Sequence, residues 1–217
     1  MKLNDPLSMA GLVHDLNNVF QTLVGVAMQL EENPDSAKLA ATVLRSVERG
    51  QRIAAGMQNG HAERTPFETV LSHAETFVTD FQAAARGPAV GIVRAVEPGI
   101  ELDGHWAWER VLINLFLNSV RAMPDGGAIY VTARIVNGGI EIVVADEGCG
   151  IADEVRDCLF DPHVSAHGSS GLGLNIVDRI VKSNGGSIQA LNGERGGAEF
   201  TILLPQLRQV QRSAAGA

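Results

Sequence analysis

The hydrophobic period of this 217-residue chain changes once, near residue 60, and that change limits what the chain can fold into. Before it, Leu12, Leu16, Val19, Leu23 and Leu30 recur at spacings of three, four and seven. This is the stripe of an amphipathic helix in a bundle. Pro6 suits the first turn of that helix, and no proline follows until Pro34. Glu31-Glu32-Asn33-Pro34-Asp35-Ser36 reads as a turn, with Asp35 or Ser36 as the next cap. A second helix is expected from about Ala37 to about Met57, on the weaker stripe Leu39, Val43, Val47, Ala54 and Met57. Two such helices make an antiparallel hairpin that cannot bury both stripes by itself. Pairing with a second copy into a four-helix bundle is the simplest completion.

After Asn59-Gly60-His61 and Thr65-Pro66, which read as a linker, the pattern becomes mixed α/β. Helices are expected over Val70–Ala85, Trp106–Met123 and Leu172–Ser183. Strands are expected over Val90–Val96, Ala128–Val136, Ile140–Ala145, Ser187–Leu191 and Ala198–Leu204. Asn137-Gly138-Gly139 is a hairpin signal, and the last two strands pair as a second hairpin. The reading is an α+β chain: a helical hairpin over 1–62, a mixed α/β domain over 63–207 and a frayed tail over 208–217.

Composition excludes several classes. Apolar residues at 45% and charged residues at 19% describe a packed globular chain. Aromatics at 5% are too few for a single-strand stacking surface, and a net charge of -8 disfavours nucleic acid and anionic membranes. Cys149 and Cys158 have no Cys or His neighbours at metal-ligand spacing, so neither a disulfide framework nor a zinc site is expected from them. No apolar run approaches the ~20 residues of a membrane span, and the N-terminus lacks a basic segment before an apolar core. A cytoplasmic protein without its own membrane sensor is the expectation.

Three segments carry candidate chemistry. In Ile113–Ala122, Asn114 and Asn118 share a helix face and Arg121 sits beside Asn118. Amide oxygens are hard ligands suited to Mg²⁺, and a guanidinium suits phosphate; a solvated polar helix face is the bland alternative. Asp146 ends an apolar strand and Gly148 and Gly150 follow it. A carboxylate there can accept from an exocyclic amine, and glycines admit a flat base. An ordinary acidic turn is the competing account. Gly171-Leu172-Gly173 opens a helix, where free N–H groups and the helix dipole favour phosphate. It is neither a P-loop nor a dinucleotide fingerprint.

Together, in this order, these segments resemble the ATP-binding domain of sensor histidine kinases, of the superfamily shared with gyrase, the ninety-kilodalton heat-shock chaperone and mismatch-repair ATPases. Asn114–Ala122 resembles the family's N box, Asp146–Gly150 its G1 box, Leu159-Phe160-Asp161-Pro162 its F box and Gly171–Leu174 its G2 box. The resemblance covers about residues 65 to 205 and implies an α/β sandwich with a mixed sheet. It implies ATP and Mg²⁺, with Asn118 on the metal and Asn114 nearby, Arg121 on phosphate, Asp146 on adenine N6, and a lid from about Asp161 to Ser170. Ser165-Ala166-His167 stands where many relatives carry Thr-Thr-Lys.

His14 lies about 200° around the helix from both Leu12 and Leu16, off the apolar stripe. A lone surface histidine is usually just solvated. However, His14-Asp15-Leu16-Asn17-Asn18, on a helical hairpin before such a domain, resembles the H box of histidine kinases. Val19 stands where that family often has proline. The resemblance implies transfer of the ATP γ-phosphate to His14, then to an aspartate of a response-regulator receiver domain. Asp15 would assist the first step and Asn18 the partner's dephosphorylation. It further implies a homodimer and a signal received from a separate sensor protein or from a missing upstream segment. Two other readings compete: a histidine phosphotransfer protein whose ATP-binding-like domain is non-catalytic, and an anti-sigma-type serine kinase or regulatory module.

Overall fold

The computed structural model describes residues 23, 47, 50, 64–85, 89–162, 164 and 173–205. The helical-hairpin expectation lies almost wholly outside them, as do His14, Asp15 and Asn18, the lid residues 165–170, Gly171 and Leu172. Leu23, Val47 and Gly50 are helical. The chain divides into two compact units, one of Met1–Pro88 with Glu101–Ile113, the other of Ala89–Ile100 with Asn114–Ala217.

In the first unit, strand β1 (Arg64–Pro66) leads into helix α1 (Phe67–Ala85). The helix begins three residues earlier than its periodicity suggests, and Thr65-Pro66 is strand rather than linker. The reason is not local. β1 pairs antiparallel with β3 (Glu101–Asp103), placing Arg64 opposite Asp103 and Pro66 opposite Glu101. Arg64 also lies 3.5 Å from the Asp103 carboxylate and 3.7 Å from that of Glu101. Phe67, Val70, Leu71, Ala74 and Val78 form the buried stripe of α1. Helix α2 (His105–Ala122) starts in this unit and continues into the second. Its first turn is closed by the Gly104 carbonyl, which accepts from Ala107 and Trp108, and the Trp108 indole donates to the Asp103 carbonyl at 3.0 Å.

The second unit is built on a five-stranded sheet. Its strands are β2 (Val90–Val96), β4 (Gly127–Val136), β5 (Gly139–Asp146), β6 (Ser187–Asn192) and β7 (Ala198–Leu204), in the order β2-β4-β5-β7-β6. β2 and β4 are parallel and every other pair is antiparallel, so the sheet is mixed, as expected. The turn Asn137-Gly138 has φ of 50° and 78°, both in the left-handed region that a tight two-residue hairpin requires. Strand alternation puts Ile129, Val131 and Ala133 of β4, Ile142 and Val144 of β5, and Phe200, Ile202 and Leu204 of β7 on one buried face. Asp146 is the last residue of that inward row on β5. Leu115, Phe116 and Ser119 of α2 are buried as well, and so are Val177 and Val181 of α3 (Gly173–Ser183). A short 3₁₀ helix at Asp153–Cys158 had no clear signature in the sequence.

Candidate functional site

The site is built around the end of β5. Asp146 carries a carboxylate into the interior and is only 2% exposed. A buried charge is tolerated only when hydrogen-bonded. Here Oδ1 accepts from the backbone N–H of Gly148 and of Ala198, each at 3.0 Å, and Oδ2 accepts from the Ser119 hydroxyl at 2.8 Å. A carboxylate offers about four acceptor positions, so among the described residues one remains, on Oδ2. The carboxylate thereby ties together α2, the loop after β5 and the start of β7. Gly197 must be glycine for this to happen, because a Cβ there would fall on the Asp146 carbonyl and carboxylate oxygens.

The loop after Asp146 is fastened at both ends. Cys149 donates its backbone N–H to the Ala122 carbonyl at 3.1 Å, capping the end of α2. A Cβ on Gly148 would lie 2.6 Å from that of Ala122, so the loop can sit this close only with glycine. At the far end, Asn192 acts like a piece of neighbouring strand toward Ile151. Its amide oxygen accepts from the Ile151 N–H at 2.6 Å and its amide nitrogen donates to the Ile151 carbonyl at 3.1 Å. Gly150 adopts φ of 75° between these anchors. Glu147 turns outward, accepting from the Tyr130 hydroxyl at 2.7 Å and the Ala128 N–H at 3.1 Å. The bond to Glu147 holds the Tyr130 phenol above its ordinary ionisation range.

Asn114 and Asn118 are half-buried on α2, one turn apart, and Arg121 is exposed in its last turn. Gly173, the first residue of α3, lies against Asn114: a Cβ on it would approach Asn114 Oδ1 to 2.9 Å. The first asparagine of the N-box stretch and the helix-opening glycine of the G2-box stretch are therefore neighbours. Phe160 is half-buried, and its carbonyl accepts from the Asn175 amide of α3 at 2.9 Å. The structure thus brings Asp146, Gly148 and Gly150 together with the end of α2, and Gly173 with Asn114. Cys149 is exposed and Cys158 half-buried.

Ser119, Asn175, Asn192, Gly197 and Ala198 are site residues that the sequence reading did not single out. Ser119 had a signal: it falls in the apolar stripe Leu112, Leu115, Phe116, Met123, where a lone hydroxyl needs a partner. Ala198 could not be found, because its contribution is a backbone N–H delivered by a strand pairing remote in sequence.

Residues 106–208 match the model of the "Histidine kinase-, DNA gyrase B-, and HSP90-like ATPase" family. The sensor histidine kinase ZraS of Escherichia coli is 28% identical over 207 residues, covering 90% of this chain and 44% of the relative. The C4-dicarboxylate transport sensor protein DctS of Rhodobacter capsulatus is 30% identical over 220 residues, covering 94% and 32%. The chain therefore spans less than half the length of these relatives. Full-length ShkA, solved in complex with AMPPNP, superposes with a TM-score of 0.60 at 25% identity, covering 92% of this chain and 46% of ShkA. The mycobacterial sensor histidine kinase MprB shares the fold, with a TM-score of 0.59 at 24% identity, covering 66% of this chain and 97% of that structure. With the mixed sheet, the fastened aspartate loop and the paired asparagine helix, these likenesses support a histidine-kinase-type ATP-binding domain over residues 106–208.

Proposed function

We propose that the chain is a two-component histidine kinase that moves the γ-phosphoryl group of ATP to His14 and then to an aspartate on a response-regulator receiver domain. The observation that carries the reading is Asp146. It is buried, held by three donors from three segments and, among the described residues, left with one acceptor position on Oδ2. That position suits an exocyclic amine such as adenine N6. Gly148 and Gly150 follow Asp146, and their missing Cβ atoms let the loop close against Ala122 and Asn192 beside the carboxylate. Asn114, Asn118 and Arg121 run along α2 toward the phosphate end.

The amide oxygens of Asn114 and Asn118 are hard, neutral donors on one helix face, and this set fits Mg²⁺, which keeps several of its own waters. Asn118 would hold the ion. When bound, the ion neutralises charge on the phosphate oxygens. The protein's own contribution is positioning and charge. Arg121 would engage phosphate oxygens, and the N–H groups around Gly171-Leu172-Gly173 would line the phosphate end. One His14 ring nitrogen forms the new N–P bond as the bond from γ-phosphorus to the β,γ-bridging oxygen breaks. ADP leaves, and Asp15 orients the ring or takes its proton.

Residues 1–62 would form the phosphoacceptor hairpin and pair with a second copy; 63–207 would form the ATP-binding domain, with 208–217 as tail. Asn18 would support dephosphorylation of the receiver.

The test is incubation with γ-labelled ATP and Mg²⁺, comparing the native chain with His14→Gln. Label that is acid-labile and base-stable in the native chain, and lost in the variant, is the expected result. Equal labelling of the two removes His14 from the reaction. Absence of nucleotide binding would instead favour a phosphotransfer protein, a reading to which Ser165-Ala166-His167 in place of Thr-Thr-Lys is the pointer.

A further inference from the structure

His73, His105 and Glu109 converge within the first unit. His73 lies on α1. His105 and Glu109 are the first and fifth residues of α2, one turn apart and on one face. Their facing atoms are His73 Nδ1, His105 Nε2 and Glu109 Oε2. The separations are 3.0 Å between the two nitrogens, 3.4 Å from His105 to Glu109 and 3.9 Å from His73 to Glu109. We propose that these three side chains form a binding site for a divalent transition-metal ion of the Zn²⁺ type.

The distances support this directly. A triangle with sides of 3.0, 3.4 and 3.9 Å has a circumscribed circle of radius about 2.0 Å. One point is therefore about 2.0 Å from all three atoms, against Zn–N and Zn–O distances of about 2.0–2.2 Å. The side chains need little rearrangement to close on an ion. The donor set, two imidazoles and a carboxylate, is one that Zn²⁺ uses with water in its fourth position. Burial supplies the asymmetry such a site needs: the Glu109 side chain is 2% exposed and that of His105 17%, while that of His73 is 38% exposed. The cluster opens to solvent on the His73 side, where a water can complete a tetrahedron.

The surroundings hold the rings. His105 packs edge-on against Trp106, with centroids 5.4 Å apart. The metal-free arrangement is itself coherent, because one imidazole N–H donates to the other ring nitrogen across 3.0 Å. An arriving ion takes over both facing nitrogens once each ring carries its proton on the outward nitrogen, and it adds positive charge beside a buried carboxylate. The consequence is a clamp between α1 and the first turn of α2.

The test uses the whole chain, stripped with a chelator and titrated with Zn²⁺ against a chromophoric competitor. Cobalt is substituted for zinc in a parallel sample. One equivalent is expected to bind, the Co²⁺ form should show the intense visible bands of a four-coordinate ion, and the melting temperature should rise with Zn²⁺. His73→Ala and His105→Ala should each weaken binding by at least about ten-fold. Glu109→Gln, which preserves shape, should weaken it too, and it decides the matter if the alanine variants do not fold. No stoichiometric binding by the native chain overturns the site, leaving a hydrogen-bonded histidine pair. Native affinity in His105→Ala and Glu109→Gln overturns it equally, placing the ion on other histidines.

Discussion

Asp146 joins three segments, and on the proposed function it would also receive the base. Among the described residues, its Oδ1 receives two backbone N–H donors, while Oδ2 receives the Ser119 hydroxyl. Asp146→Asn can keep an oxygen toward the two N–H groups and turn its new NH₂ toward Ser119, whose hydroxyl rotates to accept. The variant should therefore fold. What it loses is the second acceptor position on Oδ2, and with it a hydrogen bond to the base. Binding of a fluorescent ATP analogue should weaken by about 1–3 kcal/mol; unchanged affinity would remove Asp146 from the site. Tyr130 gives a second reading at this scale, because it is the chain's one tyrosine and ultraviolet titration reports it alone. The hydrogen bond to Glu147 raises its ionisation above the ordinary phenol value of 10.0. Where the folded value lies above the unfolded one, the stabilisation is present below the unfolded value and fades as pH rises through the folded one. Phenolate absorbance should thus appear at higher pH in the folded chain than in the denatured one, and Glu147→Gln should move it back down. Asp146 was legible as a carboxylate closing an apolar strand before glycines. Its partners were legible only in part, since Ser119 sits in an apolar stripe, whereas the Ala198 N–H depends on the pairing of β5 with β7.

Elements whose reason is local were readable, and elements whose reason is remote were not. β4 and β5 follow from alternation about Asn137-Gly138, and their observed bounds lie within a residue of the pattern. β1 and β3 are three residues each and exist through each other, joined across the length of α1, so no window of sequence contains both. The loop from Gly148 to Ile151 belongs to the second kind. Its shape depends on Asn192, which is 41 residues from Ile151 and looks in sequence like the polar end of a strand. Asn192→Ala deprives the Ile151 N–H and carbonyl of this partner at once. The expected cost is about 1–3 kcal/mol in denaturant unfolding. Because Gly150 sits against the same amide oxygen, analogue affinity should fall as well. Asn192→Asp keeps the acceptor and loses the donor, so it should fall between the native chain and the alanine variant. Equal stability of all three would show that the clamp contributes nothing.

At the scale of the whole molecule the question is which parts can act without the others. Every described residue assigned to the base or the phosphates lies between Asn114 and Gly173, and their supports extend only to Ala198. β1 closes on β3, so the boundary expected at residue 63 leaves that pair intact. The solved MprB chain matches 66% of this chain over 97% of its own length, so a separate polypeptide of that size adopts the fold. A 63–207 fragment should therefore fold and bind an ATP analogue with an affinity within a few-fold of the whole chain. It should take up no acid-labile label from γ-labelled ATP, because His14 is absent. If supplying residues 1–62 as a separate peptide, in excess, restores label on that peptide and His14→Gln in it abolishes the label, the division of labour is established. A fragment that labels itself would show that phosphate reaches a group other than His14, and the serine-kinase reading would then replace the histidine one.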